Sequence, residues 1–261
     1  MTHDAMTTID LNCDMGESFG AWTMGQDAAV LAHVTSANIA CGFHAGDPLT
    51  MRRTVDAAAK RGVAIGAHPS LPDLAGFGRR EMRVSADETH AMTLYQIGAL
   101  AAVARAAGAA LHHVKPHGAL YNMAAKDRAL ADAIASAVRD FDRALILVGL
   151  AGSELPRAGE AAGLAVAHEA FADRRYEADG SLMARSQAGA VIDDVDAAVA
   201  QAIAIATRGE VGAPNGVLRV RADTICVHGD RPDAALFARR LREGLEAAGV
   251  WIAPLAQGRD A

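Results

Sequence analysis

The chain has 261 residues, about the length that one α/β barrel uses, and a domain of that size buries about three quarters of its extended-chain surface. A net charge of −6 and a pI near 5.9 argue against nucleic acid or an anionic membrane as the main partner. Apolar residues make up 51% and aromatics only 4%, a balance carried by alanine, which suits helices packed closely on a sheet.

Ile9-Asp10-Leu11-Asn12-Cys13-Asp14-Met15 alternates apolar and polar residues, the period-2 pattern of a β-strand, and breaks at Gly16-Glu17. In an edge strand the polar face would meet water. A sheet covered by helices has no wet face, so Asp10, Asn12 and Asp14 are expected to point into one closed pocket, where each needs a partner. A loop with Phe19 and Trp22 follows, then a short helical stretch at 26–33 and a second strand at 34–41, which carries Asn38 and breaks at Gly42-Phe43-His44. Asp47-Pro48 has the form of an N-cap and first helical position, and the helix it opens is expected over 49–60 with a glycine stop at Gly62. A third strand, 63–67, ends at His68-Pro69.

The loop 70–83 carries Gly76-Phe77-Gly78-Arg79-Arg80, and Ser85-Ala86-Asp87-Glu88 is a capping-box pattern that opens a helix reaching residue 107. A fourth strand, 111–115, breaks at Pro116-His117-Gly118-Ala119-Leu120-Tyr121, and helix 127–138 and strand 144–148 come next. Strand 165–171 carries Glu169 and leads into Asp173-Arg174. A helix is expected over 194–207, a hairpin over 211–220 around Asn215-Gly216, and a strand over 224–227 that ends in His228-Gly229-Asp230. A last helix over 233–248 and a short strand over 250–252 complete the pattern.

About seven βα units without a composition break predict one α/β domain over 9–255 with a parallel core, flanked by flexible segments at 1–8 and 256–261. A closed barrel is favoured over an open sheet because polar residues close nearly every strand, and a barrel gathers all of those ends round one site. His44, His68, His117 and His228 each follow a strand near a Gly or Pro, whereas His112, His113 and His168 read as core or surface histidines held by one hydrogen bond. Asp14, His44, His68, His117, Glu169 and His228 are therefore expected to face one cavity at the C-terminal end of the strands. Imidazoles and carboxylates together suit metal binding or proton transfer. No H-E-x-x-H or H-x-H pair strengthens the metal option, and Lys115 beside His117 suits an oxyanion better than a second cation.

Cys13, Cys41 and Cys226 fall in predicted strands with no C-x-x-C spacing, so they read as buried reduced thiols. Residues 1–8 lack the pattern of a signal peptide, and the most apolar helical stretch is cut by Arg105 and Gly108, so a cytoplasmic protein is expected. No P-loop occurs, and Gly76-Phe77-Gly78 lacks the third glycine of a dinucleotide fingerprint. Arg79 and Arg80 beside it could hold a phosphate or carboxylate, or simply lie in a solvated loop.

Six segments, Ile9 to Glu17, Asn38 to Pro48, Gly66-Ala67-His68-Pro69 with Gly76 to Arg80, Val114 to Tyr121, Glu169 to Arg174 and Cys226 to Asp230, closely resemble the LamB/YcsF family in order and over nearly the whole chain. The resemblance implies an irregular barrel of about seven parallel strands, related to the glycoside hydrolase/deacetylase superfamily. It also implies ATP-dependent opening of 5-oxo-L-proline to L-glutamate, with ATP and Mg2+, in company with 5-oxoprolinase subunits B and C. A divalent metal at the barrel mouth is compatible with it. On this reading Asp14, His44, His68, Lys115 and His117 are catalytic, with His117 or Asp14 as the base and Lys115 stabilising charge on the lactam oxygen. Asp10, Asn12, Glu17, Asn38, Tyr121, Glu169, His228 and Asp230 surround the substrate, and Arg79 or Arg174 clamps its carboxylate. A stand-alone metal-dependent amidohydrolase or deacetylase, and a non-catalytic ligand-binding subunit, are the competing expectations.

Overall fold

A computed structural model describes residues 7–227 and 233–256. In chain order the elements are β1 (Thr8–Met15), α1 (Asp27–Val30), β2 (Ser36–Ala40), α2 (Pro48–Arg61), β3 (Ala64–His68), α3 (Ala86–Ala106), β4 (His113–Val114), α4 (Gly118–Ala124) and α5 (Arg128–Phe141). There follow β5 (Ile146–Leu150), α6 (Glu154–Ala161), β6 (Ala165–Phe171), α7 (Val195–Arg208), β7 (Glu210–Ala213), β8 (Gly216–Arg219), β9 (Thr224–Val227), α8 (Ala234–Ala247) and β10 (Trp251–Ile252).

Local chemistry sets most of these limits. The Asp47 carboxylate accepts from the Leu49 and Thr50 amides at the start of α2, Pro48 takes the first helical position, and Gly62 ends the helix in the left-handed region. Ser85 and Glu88 form the reciprocal capping box of α3, and Gly209 closes α7 as Gly62 closes α2. Two helices depart from the expected pattern. α4 begins at Gly118, inside the segment read as a break, and α6 contains Pro156, which fits the first turn because the amides there have no helical partner. β4 is only two residues long, although bonds from the His112 amide to the Ile65 carbonyl and from the Lys115 amide to the Ala67 carbonyl extend its pairing on both sides.

Seven parallel strands follow one another as β1-β2-β3-β4-β5-β6-β9, and β9 pairs with both β6 and β1, which closes the barrel. β10 runs beside the first residues of β1, while β7 and β8 form an antiparallel hairpin turning at Pro214-Asn215, with Gly216 already paired to Ala213. Among the described residues no helix is long and apolar enough to cross a membrane.

Ile9, Leu11, Cys13 and Met15 join the apolar core, while the alternate residues Asp10 and Asn12 are also buried and turn into the barrel. β1 thus has no wet face. Asp14 pairs in register with Asn38, Asn38 with Gly66, and Gly66 with His113. The glycine leaves room for the His113 ring, whose Nε2 reaches Asn38 Oδ1 at 2.8 Å; a Cβ at Gly66 would sit inside that ring. Gly66→Ala is therefore expected to destabilise the fold by about 1–3 kcal/mol through overpacking. Gly98→Ala, in α3 with open space where the Cβ would go, should stabilise it by up to about 1 kcal/mol. Urea unfolding of the two variants tests this difference in sign.

Candidate functional site

The C-terminal ends of the strands surround a cavity of about 750 Å³ whose wall includes Asp14, His68, Arg79, Lys115, His117, Tyr121 and Arg174. β1 delivers Asp14, β3 delivers His68, and the turn after β4 delivers Lys115 and His117. α4 follows at once and places Tyr121 across from β6.

The Lys115 ammonium is the hub. It lies 3.0 Å from Asp14 Oδ1 and 2.8 Å from Glu169 Oε1, and donates to Asn12 Oδ1 at 3.1 Å. The Cys226 thiol lies 3.2 Å from the same nitrogen. Burial works against the Lys115 charge, yet Asp14 and Glu169 hold its pKa well above the usual lysine value. Burial likewise pushes the Asp14 carboxyl up, but His68 and Lys115 outweigh it and hold the group well below the usual carboxylate range. Tyr121 donates to Glu169 Oε2 at 2.7 Å, and burial and that carboxylate push its phenol well up.

Beside this network lies an imidazole cluster. His68 Nε2 is 3.3 Å from Asp14 Oδ2 and 3.0 Å from His117 Nδ1, and the His44 ring stacks on His117 with centroids 3.9 Å apart. Glu17 Oε1 lies 3.5 Å from His44 Nε2 and 3.7 Å from His117 Nδ1. The four side chains are buried, their ligand atoms lie within 4.8 Å of one another, and they could hold a metal ion. Burial, then the neighbouring imidazole of His68, depresses the His117 pKa to about 3, and burial with both neighbouring imidazoles depresses that of His44 well below the usual range.

Two main-chain carbonyls set the ring tautomers. Lys115 O lies 2.7 Å from His68 Nδ1 and Phe77 O lies 2.9 Å from His117 Nε2; a carbonyl only accepts, so those two nitrogens carry the hydrogens. The loop that presents Phe77 O is tightly held. Phe77 has φ of 54°, in the left-handed region, where a non-glycine residue costs on the order of 1–3 kcal/mol. Gly78 is in the same region, pressed against Ser70, His44 and His117, and a Cβ on Gly118 would collide with the Gly78 carbonyl. Arg80 is bound to Asp73 across the loop and does not line the cavity.

The expected residues fall into depths. Asp10 lies on the floor, accepting from Thr224, Thr35 and Ser36 at 2.5–2.7 Å, and burial raises its pKa despite those bonds. Asn12 and Asn38 form a middle layer: Asn38 Nδ2 donates to Asn12 Oδ1 and to Asp14 Oδ1, and Asn12 Nδ2 donates to Glu169 Oε1 and Thr224 Oγ1. None of the three is on the cavity wall, and Glu17, His44 and Glu169 also lie behind it. Arg174 reaches the wall but also donates to the Met183 carbonyl at 2.5 Å, and burial lowers its pKa to about 10. Arg79 stands over the Phe77 ring, 4.8 Å from its centroid. His228 and Asp230 lie outside the described residues. Thr224, Cys226 and His113 belong to the site's supports, and the i, i+2 spacing of Thr224 and Cys226 on β9 is the signal that places both inside.

A family model described as LamB/YcsF family matches residues 9–260. A relative from Bordetella pertussis, named as the A subunit of 5-oxoprolinase, is 62% identical over 245 residues, 94% of this chain and 97% of that protein. The crystal structure of a lactam utilization protein from Thermus thermophilus matches with a TM-score of 0.89 at 49% identity, covering 94% of this chain and 99% of the other. A T48 deacetylase solved with substrate shares the fold alone, with a TM-score of 0.51 at 12% identity over 97% of this chain and 90% of the other.

Removing the hub charge should expose how the network is balanced. Lys115→Met leaves Asp14 and Glu169 without their shared cation and is expected to cost about 3–5 kcal/mol. Tyr121→Phe removes one hydrogen bond to a charged acceptor and should cost about 1.5–3 kcal/mol. Chemical denaturation of both variants measures the order, and equal or reversed costs would place the hub elsewhere.

Proposed function

The chain belongs to the LamB/YcsF family, and from that premise we propose that it is the A subunit of a cytoplasmic 5-oxoprolinase. In this reading it opens 5-oxo-L-proline to L-glutamate with ATP and Mg2+, together with partner subunits B and C. The observation that carries the reading is the Lys115 ammonium at the cavity wall, fixed between the Asp14 and Glu169 carboxylates, in a chain 62% identical to a protein of that name. The partner subunits are supported by that relative's name, which makes it one subunit of several.

A lactam is a resonance-stabilised amide, and its carbonyl carbon resists water. Phosphorylation of the lactam oxygen would make that carbon electrophilic, so that water adds, the ring nitrogen takes a proton and leaves as the amine, and a second water hydrolyses the resulting acyl phosphate to the carboxylate and inorganic phosphate. Lys115 suits the developing negative charge on that oxygen, as a donor already in place before the reaction. The base is assigned to Asp14 rather than His117, because His117 Nε2 donates to the Phe77 carbonyl and Nδ1 is turned toward His68, whereas Asp14 lies on the cavity wall. Arg79, on the cavity wall, is positioned to take the substrate carboxylate. The chain has no P-loop, so the nucleotide is met by another arrangement, in which the partners share.

One observation favours a second reading: Glu17 with three imidazoles fits a metal-dependent amidohydrolase that works without partners or ATP. Glutamate formation separates the two. The chain alone should be nearly inactive, and adding subunits B and C should restore ATP-dependent turnover; full activity of the chain alone would sink the first reading. In the assembled enzyme Lys115→Ala should lower kcat about 10²–10³-fold, whereas Arg79→Ala should raise KM about 10–100-fold with little change in kcat.

A further inference from the structure

We infer that Glu17, His44, His68 and His117 form a binding site for one divalent transition-metal ion of the Zn2+ class, with His68 and His117 on the cavity wall and Glu17 and His44 behind it. The observations come from the chain's own side chains and hold whatever the substrate is.

The first observation is spacing. Tetrahedral coordination at zinc–ligand distances of about 2.0–2.1 Å sets donor atoms about 3.4 Å apart. Here His68 Nε2 and His117 Nδ1 are 3.0 Å apart, His44 Nε2 and Glu17 Oε1 3.5 Å, and His117 Nδ1 and Glu17 Oε1 3.7 Å. The second is the direction of the lone pairs. His68 Nδ1 and His117 Nε2 donate to carbonyls, so the nitrogens that face each other at 3.0 Å are both acceptors in the neutral rings. Two opposed lone pairs repel unless a proton or a cation lies between them. This carbonyl-anchored arrangement is also how metal-bound imidazoles are held by their outer partners.

The third observation decides between proton and metal. A proton on His68 Nε2 would relieve its contact with His117, but it leaves His44 unexplained. That ring is 1% exposed, and neither of its nitrogens has a hydrogen-bond partner. Leaving buried polar atoms unpaired costs about 1–3 kcal/mol each. A cation at the centre of the four groups satisfies His44 and separates the facing lone pairs together. Its charge also suits the buried Glu17 carboxylate, whose Oε1 lies 3.5 Å from His44 Nε2 and 3.7 Å from His117 Nδ1.

The donor set fixes the class of ion. Three imidazoles and one carboxylate suit zinc, cobalt, nickel or copper, whereas Mg2+ prefers an octahedron of oxygens. The site is therefore distinct from any Mg2+ carried in with a nucleotide. When bound, such an ion supplies a Lewis acid next to Asp14 and Lys115.

The test uses the full chain, stripped with a chelator and then given Zn2+ or Co2+ alone. One zinc per chain should be retained after washing, measured by elemental mass spectrometry, and Co2+ should show the intense visible bands of tetrahedral coordination. Zn2+ should also raise the melting temperature, as any ligand of the folded state does. Glu17→Gln and His44→Ala should each weaken Zn2+ binding by about 100-fold or more, beyond the usual effect of an outer partner. His90→Ala, at a surface histidine paired with Asp140, should leave it unchanged. Failure of the folded wild-type chain to hold stoichiometric zinc or cobalt at micromolar free metal overturns the assignment, and so does undiminished binding by folded Glu17→Gln. If His44→Ala does not fold, the wild-type stoichiometry and cobalt spectrum decide alone.

Discussion

A barrel interior built from carboxylates, amides and an ammonium holds only if those groups meet partners inside it, because little water reaches them. Desolvating an ion costs several kcal/mol even after relaxation, and this barrel buries Asp10, Glu169 and Lys115 and leaves the Asp14 side chain 15% exposed at the cavity. The solution is layered. Hydroxyls answer Asp10 on the floor, amides bridge the middle, and Lys115 balances two carboxylates at the top. Parallel barrels are commonly filled with branched aliphatic residues. Here Asp10, Asn12, Lys115 and Glu169 share the interior with a small separate apolar cluster of Ile146, Val148 and Ala167, while Ile9, Leu11, Cys13 and Met15 of β1 join the main apolar core.

That arrangement explains why the mouth can be so polar and still be ordered. Asp14 accepts from Asn38 and Lys115, each of which also contacts Asn12, which in turn holds Glu169. Each group at the mouth is thus positioned by one a layer below. The side chains borrow their geometry from the strand register, in which Asn12 faces Ser36 and Cys226, and Asp14 faces Asn38. A one-residue slip would turn the whole polar set into the apolar shell.

Much of the fold was legible from period and punctuation. β6 and β9 run over the residues expected for them, and Asp47-Pro48, Ser85 with Glu88, Gly62 and Gly209 bound helices as their chemistry requires. α4 and α6 were not legible: Gly118 lies in a segment read as a break, and no helix was expected between strands 144–148 and 165–171, where α6 carries Pro156 in its first turn. Of the six residues expected to face one cavity, Asp14, His68 and His117 line it, His44 and Glu169 lie behind it, and His228 lies outside the described residues. Depth was hidden: Asp10 and Asp14 look alike in an alternating strand, but one lies on a floor of hydroxyls and the other at the cavity. Hidden too was the commitment of individual atoms. That Arg80 is taken by Asp73, and that His117 Nε2 donates to the Phe77 carbonyl, depends on a loop whose path no local pattern encodes.

The two carbonyls that orient His68 and His117 belong to the main chain, at Lys115 and Phe77. A side-chain acceptor in the same place could be lost by a single codon change; a peptide oxygen cannot. The identity of the residue supplying it can drift while the proton stays on the same ring nitrogen, provided the backbone path is kept. The constraint on these tautomers thus falls on the residues that shape the path, Gly78 and Gly118 foremost, where the loops touch with no room for a side chain.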